Sequence, residues 1–93
     1  MAAEHQRREV YFSGHVQGVG FRFTAQRVAG RHDVTGFVRN MPDGRVQLVV
    51  EGQRVEIGRF LDDLARTMQD HIRKTTIQED KPTGRFQSFS IRY

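Results

Sequence analysis

Val10-Tyr11-Phe12-Ser13-Gly14-His15-Val16-Gln17-Gly18-Val19-Gly20-Phe21-Arg22 changes its period partway along. Val10 to Ser13 is a short run of β-formers, and Gly14 ends it. From Phe21 onward, Phe21, Ala25, Val28 and Ala29 recur at the spacing of one helical face, with Arg22, Gln26 and Arg27 off that stripe. A strand, a glycine-spaced loop from His15 to Gly20, and a helix therefore follow one another. That order opens a βαβ unit.

The loop has a chemistry of its own. Successive backbone N–H groups in such a turn converge on a small concavity, and a helix start adds unsatisfied donors and partial positive charge. Gly18 and Gly20 let the backbone turn tightly, and Arg22 brings a planar charged fork suited to phosphate oxygens. The pattern fits a phosphate cradle. It fits equally a plain strand-to-helix turn with Arg22 solvated, because short glycine patterns are common.

Beyond the first helix, Val34 to Asn40 reads as a strand, Met41-Pro42-Asp43-Gly44 as a turn, and Arg45 to Glu51 as a returning strand that Gly52 breaks. Ile57, Phe60, Leu61, Leu64 and Met68 mark a second helix over roughly 55–68, with a core-facing stripe. Ile72 to Gln78 is moderately β-like, and Phe86, Phe89 and Ile91 mark a last strand after the Pro82-Thr83-Gly84 turn. The order is βαββαβ plus an extra C-terminal strand, an α+β arrangement with two helices on one face of a mainly antiparallel sheet. In a βαβ unit the two strands run parallel, so Gly14, Arg22 and Asn40 are expected at one edge of the sheet.

At 93 residues the chain is one domain spanning 1–93, with residues 1–8 expected to be flexible. The absence of cysteine excludes a disulfide framework, a thiolate nucleophile and a thiolate zinc site, and suits a reducing compartment. Residues 1–9 have no apolar stretch behind their arginine pair and do not read as a signal peptide, and no run reaches membrane length. A net charge of +4 favours anionic partners, but the basic residues are dispersed, as on a solvated surface.

Gly14 to Arg22, followed by Gly36-Phe37-Val38-Arg39-Asn40 and Asp43-Gly44, closely resembles the acylphosphatase family, and Pro82 to Tyr93 is similar to the family's C-terminal strand. The resemblance runs from about Val10 to Tyr93. It implies a ferredoxin-like α/β sandwich and a cytoplasmic, monomeric enzyme. It also implies hydrolysis of a small acyl phosphate to a carboxylate and inorganic phosphate, with no metal and no cofactor. By the same resemblance Arg22 and the loop His15, Val16, Gln17, Gly18, Val19 and Gly20 hold the phosphoryl group, inorganic phosphate or other anions, while Asn40 positions the attacking water. Such chemistry relies on positioning and charge stabilisation more than on a protein nucleophile.

Three departures from the family pattern stand out: His32-Asp33 where Leu-Gly is common, Met68 to His71 where a Gly-Pro turn is common, and Phe37 for tryptophan. Asp33 can adopt a left-handed cap less readily than glycine and His32 gives up an apolar contact, so a modest change in stability is expected. His15 is a candidate general base, though a loop with inward N–H groups throws its side chains outward. Asp62 and Asp63 read as a solvated pair and Arg39 as a strand-surface residue. His5, His32 and His71 lack metal-ligand spacing. The rival readings are a nucleic-acid-binding module, with Phe12, Phe37, Phe86 and Phe89 as stacking candidates, and a non-catalytic phosphate-sensing module on the same fold. The RNA-recognition aromatic motif is absent. Carbamoyl-phosphate chemistry within a larger maturation enzyme is disfavoured by the length and the lack of zinc-finger cysteines.

Overall fold

The structure, a computed structural model, describes residues 4–93. The elements are β1 (His5–Gly14), α1 (Phe21–Ala29), β2 (Val34–Asn40), β3 (Val46–Gln53), α2 (Arg54–Thr67), β4 (Ile72–Asp80) and β5 (Phe89–Arg92). The sheet order is β4-β1-β3-β2-β5, with β5 parallel to β2 and every other pair antiparallel. Both helices cover one face. This is the split-βαβ arrangement read from the sequence, and the extra strand β5 extends the sheet beyond β2.

Alternation along the strands explains the layering. Val10 and Phe12 of β1, Val34 and Val38 of β2, and Val46, Leu48 and Val50 of β3 meet Phe21, Ala25, Val28, Ile57, Phe60 and Leu64 in one buried cluster. Burying each of the larger side chains contributes roughly 1.5–3 kcal/mol. Both helical stripes expected from the spacing are in the core, with Leu61 partly buried at its edge.

The boundaries differ where tertiary pairing outweighs local pattern. β1 begins at His5, well before Val10, so His5 to Arg8 are in the sheet; the expected flexibility of Met1, Ala2 and Ala3 lies outside the described residues. Its polar first half has no apolar alternation to announce a strand. It forms because β1 is an inner strand, paired to β3 and β4 at once, and because Arg7 meets Glu51 (3.2 Å) and Arg8 meets Glu79 (3.7 Å). Gly52 does not end β3, which continues to Gln53, and β4 extends to Asp80. Phe86 lies before β5, its ring 5.9 Å from that of Phe37.

The departures from the family pattern also resolve. Asp33 is not left-handed: among the described residues every positive φ belongs to a glycine. Instead the Asp33 N–H donates to Glu56 Oε1 (3.1 Å) on α2. His32 Nε2 lies 3.1 Å from Asp63 Oδ2, and its ring stands 6.1 Å from Phe60, so the turn between α1 and β2 is tied to α2 by polar contacts. Asp63 is thus not half of a solvated pair. The hydrogen bond from His32 holds its carboxyl below the ordinary carboxylate range. After α2, the N–H groups of His71 and Ile72 both donate to the Met68 carbonyl (2.9 and 3.2 Å), which reverses the chain into β4 without a Gly-Pro turn.

Candidate active site

β3 lies between β1 and β2 and runs antiparallel to both, so β1 and β2 are parallel and end on the same edge. The register makes this concrete. Val46 faces Phe12 on one side and Asn40 on the other. Asn40 continues the alternation of Val34, Gly36 and Val38, so its side chain emerges on the helix-covered face, where α1 begins. The loop from Gly14 spans the short gap between the end of β1 and that helix start.

A cleft of about 170 Å³ occupies this corner, lined by Val16, Gly18, Gly20, Arg22, Asn40 and Tyr93 together with Phe21, Phe23 and Ile91. Gly18 and Gly20 have φ of 76° and 77°, a conformation that side chains disfavour, and a Cβ at either would meet only open space. Their requirement is therefore conformational rather than steric. Gly20 caps α1 with no side-chain hydrogen bond, and no acidic residue occupies the first turn. The Thr24 N–H bonds to the Gly20 carbonyl, so the N–H groups just before it are the unsatisfied donors of the helix start.

The expected residues divide into groups. Arg22 and Asn40 share the cleft with Val16, Gly18 and Gly20. His15, Gln17 and Val19 do not line it. The His15 N–H donates to the His71 carbonyl (2.9 Å), its side chain is exposed, and its ring stands 6.0 Å from that of His71. The imidazole therefore points out of the cradle. Val19 packs against the core. Gln17 turns its amide away to clasp the neighbouring turn, donating from Nε2 to the carbonyls of Met41 (2.8 Å) and Arg45 (2.9 Å). That turn is closed on itself by Met41 N–H to the Arg45 carbonyl (2.8 Å) and by the Arg45–Asp43 ion pair (2.8 Å). The loop and the segment that follows Asn40 are thus one clasped unit.

Among the described residues Arg22 forms no ion pair or side-chain hydrogen bond; its guanidinium lies 4.9 Å from the centroid of the Tyr93 ring. An unpaired guanidinium beside unsatisfied N–H groups is a site of net positive potential, suited to a multiply charged oxyanion. Arg39 is turned to the other face of the sheet, its Nε 2.6 Å from Gln47 Oε1. Phe12 is in the core, Phe37 is buried under the Arg92 guanidinium (3.9 Å), and Phe89 meets Phe60 edge to face (5.4 Å), so these three rings form no exposed stacking platform. Among the described residues no three histidine or acidic side chains gather as metal ligands, and no helix is long and apolar enough to cross a membrane. Phe23, Ile91 and Tyr93 are cleft residues that motif and spacing did not single out. For Phe23 a signal existed, since it is an aromatic off the apolar stripe of α1.

Comparison with known proteins agrees with this geometry. The acylphosphatase family model matches residues 8–91. The chain is 35% identical to an acylphosphatase of Archaeoglobus fulgidus, covering 91% of this chain and 96% of that one, and 39% identical to one of Syntrophus aciditrophicus, covering 95% and 93%. It superposes on the crystal structure of acylphosphatase from Bacillus subtilis with a TM-score of 0.84 at 27% identity, over 95% of this chain and 99% of that one. With the cradle, the unpaired arginine and the matching fold in one molecule, this chain belongs to the acylphosphatase family of hydrolases.

Proposed function

We propose that the cleft hydrolyses small acyl phosphates by in-line attack of water, without a metal ion. The observation that carries this reading is the meeting of Arg22 and Asn40, from separate elements, at one cradle of unsatisfied N–H groups. The N–H groups of the loop residues at the cleft, Val16, Gly18 and Gly20, and those of the first turn of α1 bind the non-bridging phosphoryl oxygens. Arg22 adds a two-pronged contact and offsets the charge that develops on them. Gln17 acts through the turn, holding the loop against the segment that carries Asn40.

The Asn40 side-chain amide orients a water on the side of phosphorus opposite the acyl oxygen. A new bond forms from the water oxygen to phosphorus as the bond to the acyl oxygen breaks. The electron pair leaves with the carboxylate, a stable anion that needs little general-acid help. An amide is a poor base, so a phosphoryl oxygen takes the water proton, and inorganic phosphate departs. The likeness to the acylphosphatase family is the ground for reading the enzyme as a monomer. A cysteine-free chain suits the reducing cytoplasm.

Hydrolysis of benzoyl phosphate by the purified protein without added metal tests the reading, beside Arg22→Ala, Arg22→Lys and Asn40→Ala. Turnover lost in Arg22→Ala, hardly restored by lysine and greatly slowed in Asn40→Ala is the expected result. Phosphate binding that depends on Arg22 with no turnover would make the protein a binding module instead.

A further inference from the structure

Among the described residues, the large apolar side chains most open to solvent are Phe23, Val55, Ile77 and Tyr93. Val55 lies on the first turn of α2 and Ile77 on the edge strand β4. Phe23 and Tyr93, far apart in sequence, both stand at the cleft that holds Arg22. Phe23 is 70% exposed, so it adds little to the core. Tyr93 arrives there by register: β5 is parallel to β2 with Arg92 opposite Arg39, which brings the next residue to the level of Asn40. Its ring lies on the Arg22 guanidinium. A phosphoryl group calls for donors and positive charge; the Phe23 ring supplies neither, and Tyr93 presents its ring face to Arg22 with only its hydroxyl as a donor. A single exposed aromatic needs no explanation, but a pair converging on one small cleft does.

The acyl group is the part of the substrate that phosphate chemistry leaves unassigned. In-line displacement sends it away from the water and out of the cradle. We propose that Phe23 and Tyr93 flank an acyl subsite that favours acyl phosphates with an aromatic or flat apolar acyl group over those of acetyl size. This rests on the hydrolytic reading above. Rings prefer offset or edge-on partners at van der Waals contact, a geometry that a benzoyl group satisfies and an acetyl group does not. Neither ring carries charge to the reacting phosphorus, so the preference acts on substrate and transition state alike and is read mainly in KM.

The test compares kcat and KM for benzoyl phosphate and acetyl phosphate in the wild-type protein, Phe23→Ala and Phe23→Tyr. The ratio of kcat/KM between the two substrates, taken relative to wild type, cancels their different intrinsic reactivities. Phe23→Ala should lower the benzoyl-to-acetyl ratio by about threefold to tenfold, the yield of one aromatic contact, through a raised KM for benzoyl phosphate. Phe23→Tyr should keep the wild-type ratio. Equal losses on both substrates, or no change in the ratio, would overturn the subsite while leaving the hydrolytic reading intact. Wild-type protein that turns over neither substrate would remove the reading and the subsite together.

Discussion

Two concavities sit at opposite ends of the same sheet, and the smaller one is the proposed site. Near the starts of β1 and β2, a depression of about 490 Å³ is lined by His5, Val34, Glu51, Thr83 and Phe86 among others. Its buried charged group is fully engaged, and the one other carboxylate that lines it, Asp33, is exposed. Glu51, only 4% exposed, accepts from the N–H groups of Thr83 and Gly84 (both 3.0 Å), the Thr83 hydroxyl (2.8 Å) and Arg7 (3.2 Å). These bonds strap the segment between β4 and β5 to the open face of β3. The cleft at the other end is smaller, yet its arginine has no carboxylate partner among the described residues and its helix start has no side-chain cap. One end uses its buried carboxylate to hold the fold, and the other leaves a guanidinium and helix-start N–H groups open, as the proposed anion site requires. Volume does not distinguish the two, whereas unsatisfied hydrogen-bonding capacity does.

Substitutions at the two ends should therefore separate activity from stability. The largest effect belongs to Arg22→Ala, expected to lower kcat/KM for benzoyl phosphate on the order of 10³- to 10⁵-fold, as for other arginines that neutralise a transferring phosphoryl group. Its denaturation midpoint should not fall, because no ion pair is broken. Asn40→Ala should cost about 2.7–4 kcal/mol in the barrier, by analogy with losing an oxyanion donor, with KM moving far less. An Asn40→Ala protein with undiminished kcat would falsify the role given to that amide.

Glu51→Ala should show the opposite profile. Orphaning the Thr83 and Gly84 N–H groups is expected to cost about 1–3 kcal/mol in urea denaturation, with kcat nearly retained. Lost activity at unchanged stability would erase the contrast between the ends. The same carboxylate sets a pH signature. Burial pushes the Glu51 carboxyl up, but the bonds from Thr83, Gly84 and Arg7 together outweigh it and leave its pKa below the ordinary 4.5. A lowered folded-state value means the unfolded chain takes up the proton first. The stabilisation is therefore complete above pH 4.5 and is lost as pH falls through the folded value. Glu51→Gln should flatten that acid limb in equilibrium unfolding. Smallest of the set, Gln17→Ala removes the clasp between loop and turn and should lower kcat/KM by about tenfold, the equivalent of 1.4 kcal/mol. A Gln17→Ala protein indistinguishable from wild type in kcat/KM would show that the loop holds its shape unaided.

The other face of the sheet explains why Arg39 was the poorer candidate for the site. Gln47, opposite both Tyr11 and Arg39, accepts from Arg39 and donates to Glu9 Oε1 (2.9 Å) and the Tyr11 hydroxyl (3.2 Å). The Tyr11 hydroxyl also donates to Glu9, which lowers the carboxyl pKa and raises that of the phenol. Alternation alone put Arg39 on this face and Asn40 on the other, and that much was readable along Val34 to Asn40. The bonding partners were not, because they come from strands far away in sequence.

Local chemistry determined a good deal of this protein. Glycine spacing, the change of period at Phe21 and the apolar stripes of both helices marked the loop and the helices, since backbone conformation and amphipathic period are properties of neighbouring residues; Arg22 and Asn40 were paired by the βαβ order and the family resemblance. Tertiary structure decided the rest. Pairing on both sides drew the polar start of β1 into the sheet, the parallel register of β5 carried Tyr93 to Arg22, and the Glu51 strap closed the far end. Each of these depends on which strands become neighbours, and long-range pairing leaves no periodic trace in the segments that it joins.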